Sequence, residues 1–303
     1  MLQQQTPPPA TTPKGPPPPA ARLARFLRRF VQRQPLGTVG AVIVGLLVLT
    51  ALLAPLLAPY GPKQAEFDTY LPPGEGHLMG TDHLGRDILS RVIWGARLSL
   101  YVGLTSVALG ITLGALWGMV TAYFGGWPDV LTQRLVDVLM GFPPIILALG
   151  LMAVLGQSVH NVIMALVILL TPTAARTMRS TVLGLKELAY VEAARAVGCS
   201  HWRVIFRHLV PNSLGTYIVL FTVNVAYAIV VEAALSFLGL GSPPDEPSWG
   251  GMLTAAMGSL ERAPWIAFFP GLAISLVVFG LNLFGDAVRD VTDARLRGQM
   301  GGE

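Results

Sequence analysis

The stretch Glu192-Ala193-Ala194-Arg195-Ala196-Val197-Gly198, followed by Pro211-Asn212, is a polar insert between two long apolar runs of the chain. Its alanines favour a helix and its glycine ends one, so the pattern predicts a short helix from Leu188 to Val197 that stops or bends at Gly198. The small side chains of this helix permit another protein to approach closely. We interpret the insert as a docking segment, which makes the chain a subunit of a larger machine.

Around this insert, the chain has the composition of an integral membrane protein. It contains 303 residues, of which 52% are hydrophobic and 13% are charged, and long windows carry no charge at all. These windows lie between residues 33 and 63, 97 and 129, 137 and 176, 207 and 232, and 262 and 286. Each window holds a membrane span of about 20 residues, and the longest, broken by a polar patch at 156–161, holds two. The sequence therefore predicts an all-α protein with six transmembrane helices.

The distribution of charge predicts the orientation of these spans. The residues before the first span carry six basic side chains and no acid, and the segment 176–207 carries six basic side chains against two acids. By the positive-inside rule, both segments lie in the cytoplasm. An even number of spans returns the C-terminus to the same side, so both termini are predicted to be cytoplasmic.

We divide the chain into three regions. Residues 1–36 comprise a Pro-rich tail, expected to be disordered, and a basic helix from Arg22 to Gln34 that lies along the membrane surface. Residues 37–290 form the transmembrane domain, with a cytoplasmic loop at about 184–212 that contains the docking segment. Residues 291–303 form a cytoplasmic tail.

Two spans carry residues that differ from their apolar surroundings. Gly110, Gly114 and Gly118 fall one helical turn apart in span two, which predicts a face that packs closely against another helix. Glu232 lies near the outer end of span five, and an ionisable group at membrane depth is a functional candidate. It is a possible pathway or gating residue, although we favour a structural pairing with an arginine or a helix end.

The outer loop before span two offers little for catalysis. Asp82 is expected to cap a short amphipathic helix that Asp87 and Arg91, four residues apart, support as an ion pair. His77 and His83 lie six residues apart with no cysteine nearby, a spacing that does not predict a metal site. The chain also lacks the pattern of a hydrolase nucleophile. No catalytic residue and no metal ligand is assigned.

The sequence also contains no recognisable nucleotide site. A P-loop requires a lysine followed by Ser or Thr after a glycine-rich turn, whereas the lysines at 14, 63 and 186 precede Gly15, Gln64 and Glu187. We therefore expect this chain to bind no cofactor itself. Because its basic residues follow the membrane topology, we expect the lipid bilayer and no nucleic acid as a partner.

Together these motifs resemble one family. Glu192-Ala193-Ala194, with Gly198 after three intervening residues and Pro211-Asn212 beyond it, resembles the EAA loop of permease subunits of bacterial ABC importers. Further matches, to the dipeptide, oligopeptide and nickel subgroup, are Gly80, Thr81, Asp82, Gly85, Arg86 and Asp87 of the outer loop and the runs 235–241 and 247–250. The resemblance covers residues 35 to 297.

This resemblance implies a type I ABC importer permease fold in a bacterial inner membrane. The residues that would bind in a groove of an ATPase subunit are Glu192, Ala193, Ala194, Arg195 and Gly198. Pro211 and Asn212 belong to the same docking loop, further along the chain. The implied partners are a second homologous permease, two ATPase subunits that bind ATP and Mg²⁺, and an extracytoplasmic solute-binding protein. The cargo would be a dipeptide, oligopeptide, nickel chelate, glutathione or sugar.

The main alternative is a self-sufficient secondary transporter or channel. Such a protein typically has coupling acids or broken helices in several spans. In this sequence only Glu232 comes close to that pattern, so the importer subunit is the preferred interpretation.

Overall fold

The computed structural model describes residues 30–32 and 34–300, with side chains through Thr292, so the predicted Pro-rich tail and most of the basic segment after it lie outside the described residues. The helices are α1 (Pro35–Leu52), α2 (Ala54–Leu57), α3 (Ile88–Phe124), α4 (Gly126–Met140), α5 (Pro144–Leu155), α6 (Val159–Leu185), α7 (Ala189–Ala196), α8 (His201–Val204), a π-helical turn (Ile205–Leu209), α9 (Val210–Phe237), α10 (Trp249–Ala256) and α11 (Trp265–Met300). In the described residues, extended pairing is limited to three isolated bridges in the loop before α3. The predicted all-α class is confirmed.

Five helices are long and apolar enough to cross a membrane: α1, α3, α6, the run His201–Phe237 that ends with α9, and most of α11. A sixth candidate exists only as the pair α4 and α5, which is bent by 89°. Its second helix, α5, begins at Pro144, in the window between residues 137 and 176 that was predicted to hold two spans of about 20 residues. Its predicted length is wrong, since α5 has 12 residues and is only about 18 Å long. Prolines favour a helix start and disfavour helix in the preceding residue, so they separate α4 from α5.

The bundle has two ends, because successive crossings alternate in direction. We call the end with residues 58–87 and 238–264 the loop end, and the end with residues 186–209 the docking end. At the docking end, Gln34 Nε2 donates a hydrogen bond to Asp290 Oδ2 at 3.2 Å. The start of α1 and the last part of α11 therefore lie at the same end of the bundle. α11 continues beyond the predicted span to Met300.

The glycine face of α3 packs against α6, which confirms the predicted close helix contact. A Cβ atom at Gly114 would overlap the carbonyl oxygen of Thr171, and one at Gly118 would overlap the carbonyl oxygen of Ala175. The third glycine of this face, Gly110, also lies against α6. The two backbones approach this closely only because these positions have no side chain.

The start of α3 differs from the prediction. Asp87, and not Asp82, is the N-cap: its Oδ2 accepts hydrogen bonds from the Ser90 N–H at 2.8 Å and from Ser90 Oγ at 2.7 Å. No separate short helix precedes α3 in the described loop, which runs directly into this 37-residue helix. The cause is Gly85, whose φ of +70° is incompatible with a helix that starts at Asp82.

Candidate functional site

The docking segment forms α7, and its apolar side is anchored on the transmembrane helices. Val191 and Ala194 are buried and lie on one side of the helix, whereas Leu188, the residue before the helix, is exposed. The buried partners at the ends of α3 and α6 are Met119, Ala122, Met178 and Val182. Full burial of a valine side chain contributes roughly 1.5–3 kcal/mol. The helix therefore belongs to a buried apolar cluster that also contains residues of the two long helices and of the segment 204–209.

Gly198 ends α7, as predicted. Its φ is +78°, its N–H donates to the Arg195 carbonyl at 2.9 Å, and the next N–H, of Cys199, donates to the Ala194 carbonyl at 3.0 Å. A Cβ atom on Gly198 would meet nothing within 4 Å. Glycine is thus required for the backbone conformation and not for space.

On its other side, α7 presents Glu192 and Ala193, which are both exposed. Arg195 is also exposed, and its guanidinium lies 5.0 Å from the centre of the Tyr123 ring. The hydroxyl of Tyr123 in turn contacts His201 Nδ1 at 3.0 Å. An acid in the first turn and a base in the last turn both suit the helix dipole. The helix therefore displays one acid and one base at fixed positions on an accessible surface.

Pro211 and Asn212 shape the helix that follows the docking segment. Pro211 lies in the first turn of α9, directly after the π-helical turn, and has no N–H to donate to the preceding turn. Asn212 Nδ2 donates to the His208 carbonyl at 2.6 Å, which satisfies a carbonyl within the widened turn. The two residues therefore support the π-helical turn between α8 and α9, which the sequence analysis did not predict.

Ion pairs fasten α4 to α6 near the docking end. Two guanidinium nitrogens of Arg179, Nε and Nη2, each donate a hydrogen bond to a carboxylate oxygen of Asp129 at 2.7 Å. Arg176 pairs with Asp137. In the sequence, these arginines contribute only to the positive charge of the predicted cytoplasmic segment. Their pairing is not visible there, because the acids that bind them lie on another helix.

At the loop end, a group of charged side chains is buried before α3. Asp82 accepts a hydrogen bond from Arg86 Nε at 2.7 Å, and Arg91 Nε lies 3.9 Å from the same carboxylate. Asp87 contacts His77 Nδ1 at 2.9 Å. In the described residues, no group of three side chains suited to a metal ion comes together. We call these five residues the charged cluster.

The other residues of the outer-loop motif fold the backbone around the charged cluster. Thr81 Oγ1 accepts a hydrogen bond from the Leu71 N–H at 2.9 Å. Gly80 and Gly85 have φ values of +78° and +70°, and a Cβ atom at Gly85 would overlap the carbonyl oxygen of Phe67. All six motif residues are thus brought together, and their contacts are those of a folded loop.

Glu232 is fully buried in α9. Its Oε1 accepts a hydrogen bond from Ser236 Oγ at 2.9 Å, and its Oε2 accepts one from Ser99 Oγ at 3.4 Å. None of the described arginines lies within ion-pair distance of this carboxylate. The carboxylate instead joins α9 to α3 through two serine hydroxyls.

The contact of Tyr123 with His201 was not predicted, although His201 lies in the predicted cytoplasmic loop at about 184–212. The aromatic pair Tyr123-Phe124 precedes Gly125-Gly126 at the end of α3, and this pattern is a usable signal for the end of a helix. The contact between Tyr123 and His201 joins residues 78 positions apart. It depends on tertiary packing, which no local pattern reveals.

Two known family models match this chain. Residues 110–298, more than half of the chain, match the family model described as the binding-protein-dependent transport system inner membrane component. Residues 22–73 match the N-terminal TM domain of oligopeptide transport permease C. The two matches together cover both the first span and the docking end.

Individual relatives of this chain are also named as permease proteins of transport systems. The glutathione transport system permease protein GsiD of Pectobacterium atrosepticum is 40% identical over 90% of this chain and 91% of its own length. The dipeptide transport system permease protein DppC of Alkalihalophilus pseudofirmus is 39% identical over 88% of each chain. A structure of the MetNI methionine ABC transporter shares the fold, with a TM-score of 0.52 and 17% identity over 68% of this chain and 96% of that chain. The chain therefore belongs to the binding-protein-dependent transport system inner membrane components, as a transmembrane permease subunit of an ABC importer.

Proposed function

We propose that α7 is the contact through which an ATPase subunit drives this permease. The observation that supports this proposal most strongly is the placement of α7: Val191 and Ala194 belong to a buried cluster that contains residues of α3 and α6, whereas Glu192 and Ala193 are exposed. A helix held in this way transmits a movement of the ATPase to both long helices. ATP and Mg²⁺ would bind to the ATPase subunits, and this chain would perform no catalysis.

Membership of the family implies ATPase and solute-binding partners. We propose that the complete importer contains a second homologous permease, two ATPase subunits and an extracytoplasmic solute-binding protein in a bacterial inner membrane. The docking end would face the cytoplasm, which the basic segment 176–207 supports. Both chain termini would lie there too, supported by the contact between Gln34 and Asp290. Since relatives are named for glutathione and dipeptide transport, we propose a peptide-type solute.

We assign Glu232 to helix packing and not to the solute pathway. Its burial and its two serine partners support this choice over gating. In the described parts of the five long helices it is also the single buried acid. A self-sufficient secondary transporter or channel, which would use several such groups, is therefore not favoured.

The docking role is tested by two substitutions in α7. Glu192→Lys reverses an exposed charge, and Gly198→Val forces a branched side chain into a left-handed backbone conformation. Both variants should reach the membrane with the second permease subunit. In vesicles that contain the complete importer, each should lower ATP-driven uptake by about tenfold, the effect of roughly 1.4 kcal/mol, and weaken co-purification of the ATPase.

Two matched variants control for charge and for bulk. Glu261→Lys reverses an exposed acid at the loop end, and Gly45→Val adds the same side chain to a helical glycine with nothing within 4 Å. Both should transport normally. Undiminished uptake and ATP hydrolysis in Glu192→Lys and Gly198→Val would show that α7 is not the docking helix.

A further inference from the structure

A cleft of about 330 Å³ opens at the loop end, beside the first turns of α3. Three segments form its walls: the loop at Pro62, the part of α3 from Trp94 to Tyr101, and the loop at Glu246-Pro247. An ion pair between Lys63 and Glu246, at 3.2 Å, joins the two loops. The cleft is distinct from α7 and from the outer-loop motif.

Arg97 is the charged group of this cleft that has no acidic partner. It is exposed, and none of the described carboxylates lies within ion-pair distance of it. Its guanidinium lies 5.7 Å from the centre of the Trp94 ring, and a guanidinium stacked in this way keeps its donors for a planar anion. By contrast, Arg91 is buried and donates to the Pro62 carbonyl at 3.0 Å. Arg97 is thus available for a ligand and Arg91 is not.

The remaining walls suit an apolar group beside that anion. Pro62, Trp94, Leu98, Tyr101 and Pro247 line the cleft, and the one acid among its walls, Glu246, is paired with Lys63. The indole nitrogen of Trp94 is buried and donates to none of the described residues. A buried donor without a partner costs roughly 1–3 kcal/mol, which an acceptor on a ligand can recover. A carboxylate adjacent to an apolar side chain offers both the acceptor and the apolar surface.

We propose that this cleft binds the C-terminal carboxylate and the last side chain of a peptide-type solute at the entrance of the permease. Arg97 pairs with the carboxylate, Trp94 Nε1 donates to an oxygen of the peptide, and Tyr101 covers the side chain. This inference rests on the proposed function, because the loop end must receive the solute from the binding protein. It adds a recognition site within the permease itself.

The binding step is measured without transport. Leu98→Cys, at another residue that lines the cleft, is introduced into a Cys199→Ser chain, and the importer without its binding protein is placed in nanodiscs of neutral lipid. The rate at which a maleimide labels the new thiol is recorded with millimolar Ala-Phe or with its C-terminal amide. Ala-Phe should slow labelling about tenfold, corresponding to an occupancy near 90% at about nine times the Kd. The amide should have little effect, and Arg97→Gln should abolish the protection by Ala-Phe.

Arg262→Gln is the matched control. Arg262 also lies over an aromatic ring at the loop end, 4.6 Å from the centre of Tyr70, but it does not line the cleft. This variant should retain full protection by Ala-Phe. The comparison separates loss of a charge at this end of the bundle from loss of the charge in the cleft.

Three results would overturn the proposal. They are failure of Ala-Phe to protect the introduced thiol when Arg97 is present, equal protection by the amide, and protection that survives Arg97→Gln. If phosphatidylglycerol in the nanodisc blocks labelling and Ala-Phe adds nothing, the cleft is a lipid site and the proposal is also wrong. ATP-driven uptake by the wild-type importer is measured separately and tests the proposed function. The proposal about the cleft can therefore be wrong while the proposed function is correct.

Discussion

At the scale of single residues, Asp82 has a larger role than its place in a loop suggests. It is 3% exposed and lies beside two arginines that are also buried, Arg86 and Arg91. Removing one member of a buried ion pair leaves the other charge in a poorly solvating environment. The carboxylate of Asp82 is therefore required for the fold of the loop.

Asp82→Asn should destabilise the protein by about 3–5 kcal/mol, since both arginines lose their nearest acid. The loss is measured as a lower thermal unfolding midpoint of the purified importer in one detergent. Asp137→Asn is the control, because it breaks a pair whose side chains are about half exposed and should cost about 0–1 kcal/mol. Equal losses in the two variants would contradict the assigned role of the charged cluster.

The residues of α7 were predictable, whereas the roles of Asp82 and Asp87 were not. Helical periodicity and a terminal glycine are local signals, so the sequence indicated a helix that ends at Gly198, but it did not indicate that Val191 and Ala194 pack on the bundle. Asp82 lies two residues before Leu84 and Asp87 lies directly before Ile88, so either aspartate fits an N-cap. The positive φ of Gly85 selects Asp87, and this conformation depends on contacts with residues far back in the loop.

At the scale of helices, the contact between α3 and α6 is the best-defined interface of the bundle. The spacing of Gly110, Gly114 and Gly118 predicted a packing face, but it did not identify α6 as the partner. The bend between α4 and α5 was also not predicted. Charge-free windows show where apolar segments lie, and they contain no information about the angle between two short helices.

Gly114→Ala should destabilise the bundle by about 1–3 kcal/mol, because its methyl group would overlap the carbonyl oxygen of Thr171 and force the helices apart. Gly150→Ala adds the same group to α5, where nothing lies within 4 Å. The better helix propensity of alanine should make that change neutral or stabilising by up to about 1 kcal/mol. Thermal unfolding of the two variants in the same detergent decides between these outcomes, and a stable Gly114→Ala protein would exclude close packing at this point.

At the scale of the whole molecule, the sequence predicted the number of crossings better than it predicted sites formed between segments. Alternating apolar windows and basic loops are sufficient to assign a helical membrane protein. The cleft around Arg97 combines residues from two loops and one helix, so it has no signature in the linear sequence. Its parts become a site only after the bundle has formed.

The proposed orientation predicts opposite accessibility for the two ends. In a Cys199→Ser chain, Glu75→Cys at the loop end should react with an impermeant maleimide in spheroplasts. Val197→Cys at the docking end, where the native side chain is 79% exposed, should react only after the membrane is made permeable. The reverse pattern would place α7 outside the cell and remove the basis for an ATPase contact.

The length of α3 gives α7 mechanical leverage. With 37 residues, α3 is a rod of about 55 Å, and the interlocked backbone of α6 stiffens it. A tilt of about 5° around the docking end displaces the far tip by about 5 Å, close to one turn of a helix. On the proposed function, rocking of α7 would tilt this rod and move Arg97, about 40 Å from the docking end, by about 3–4 Å.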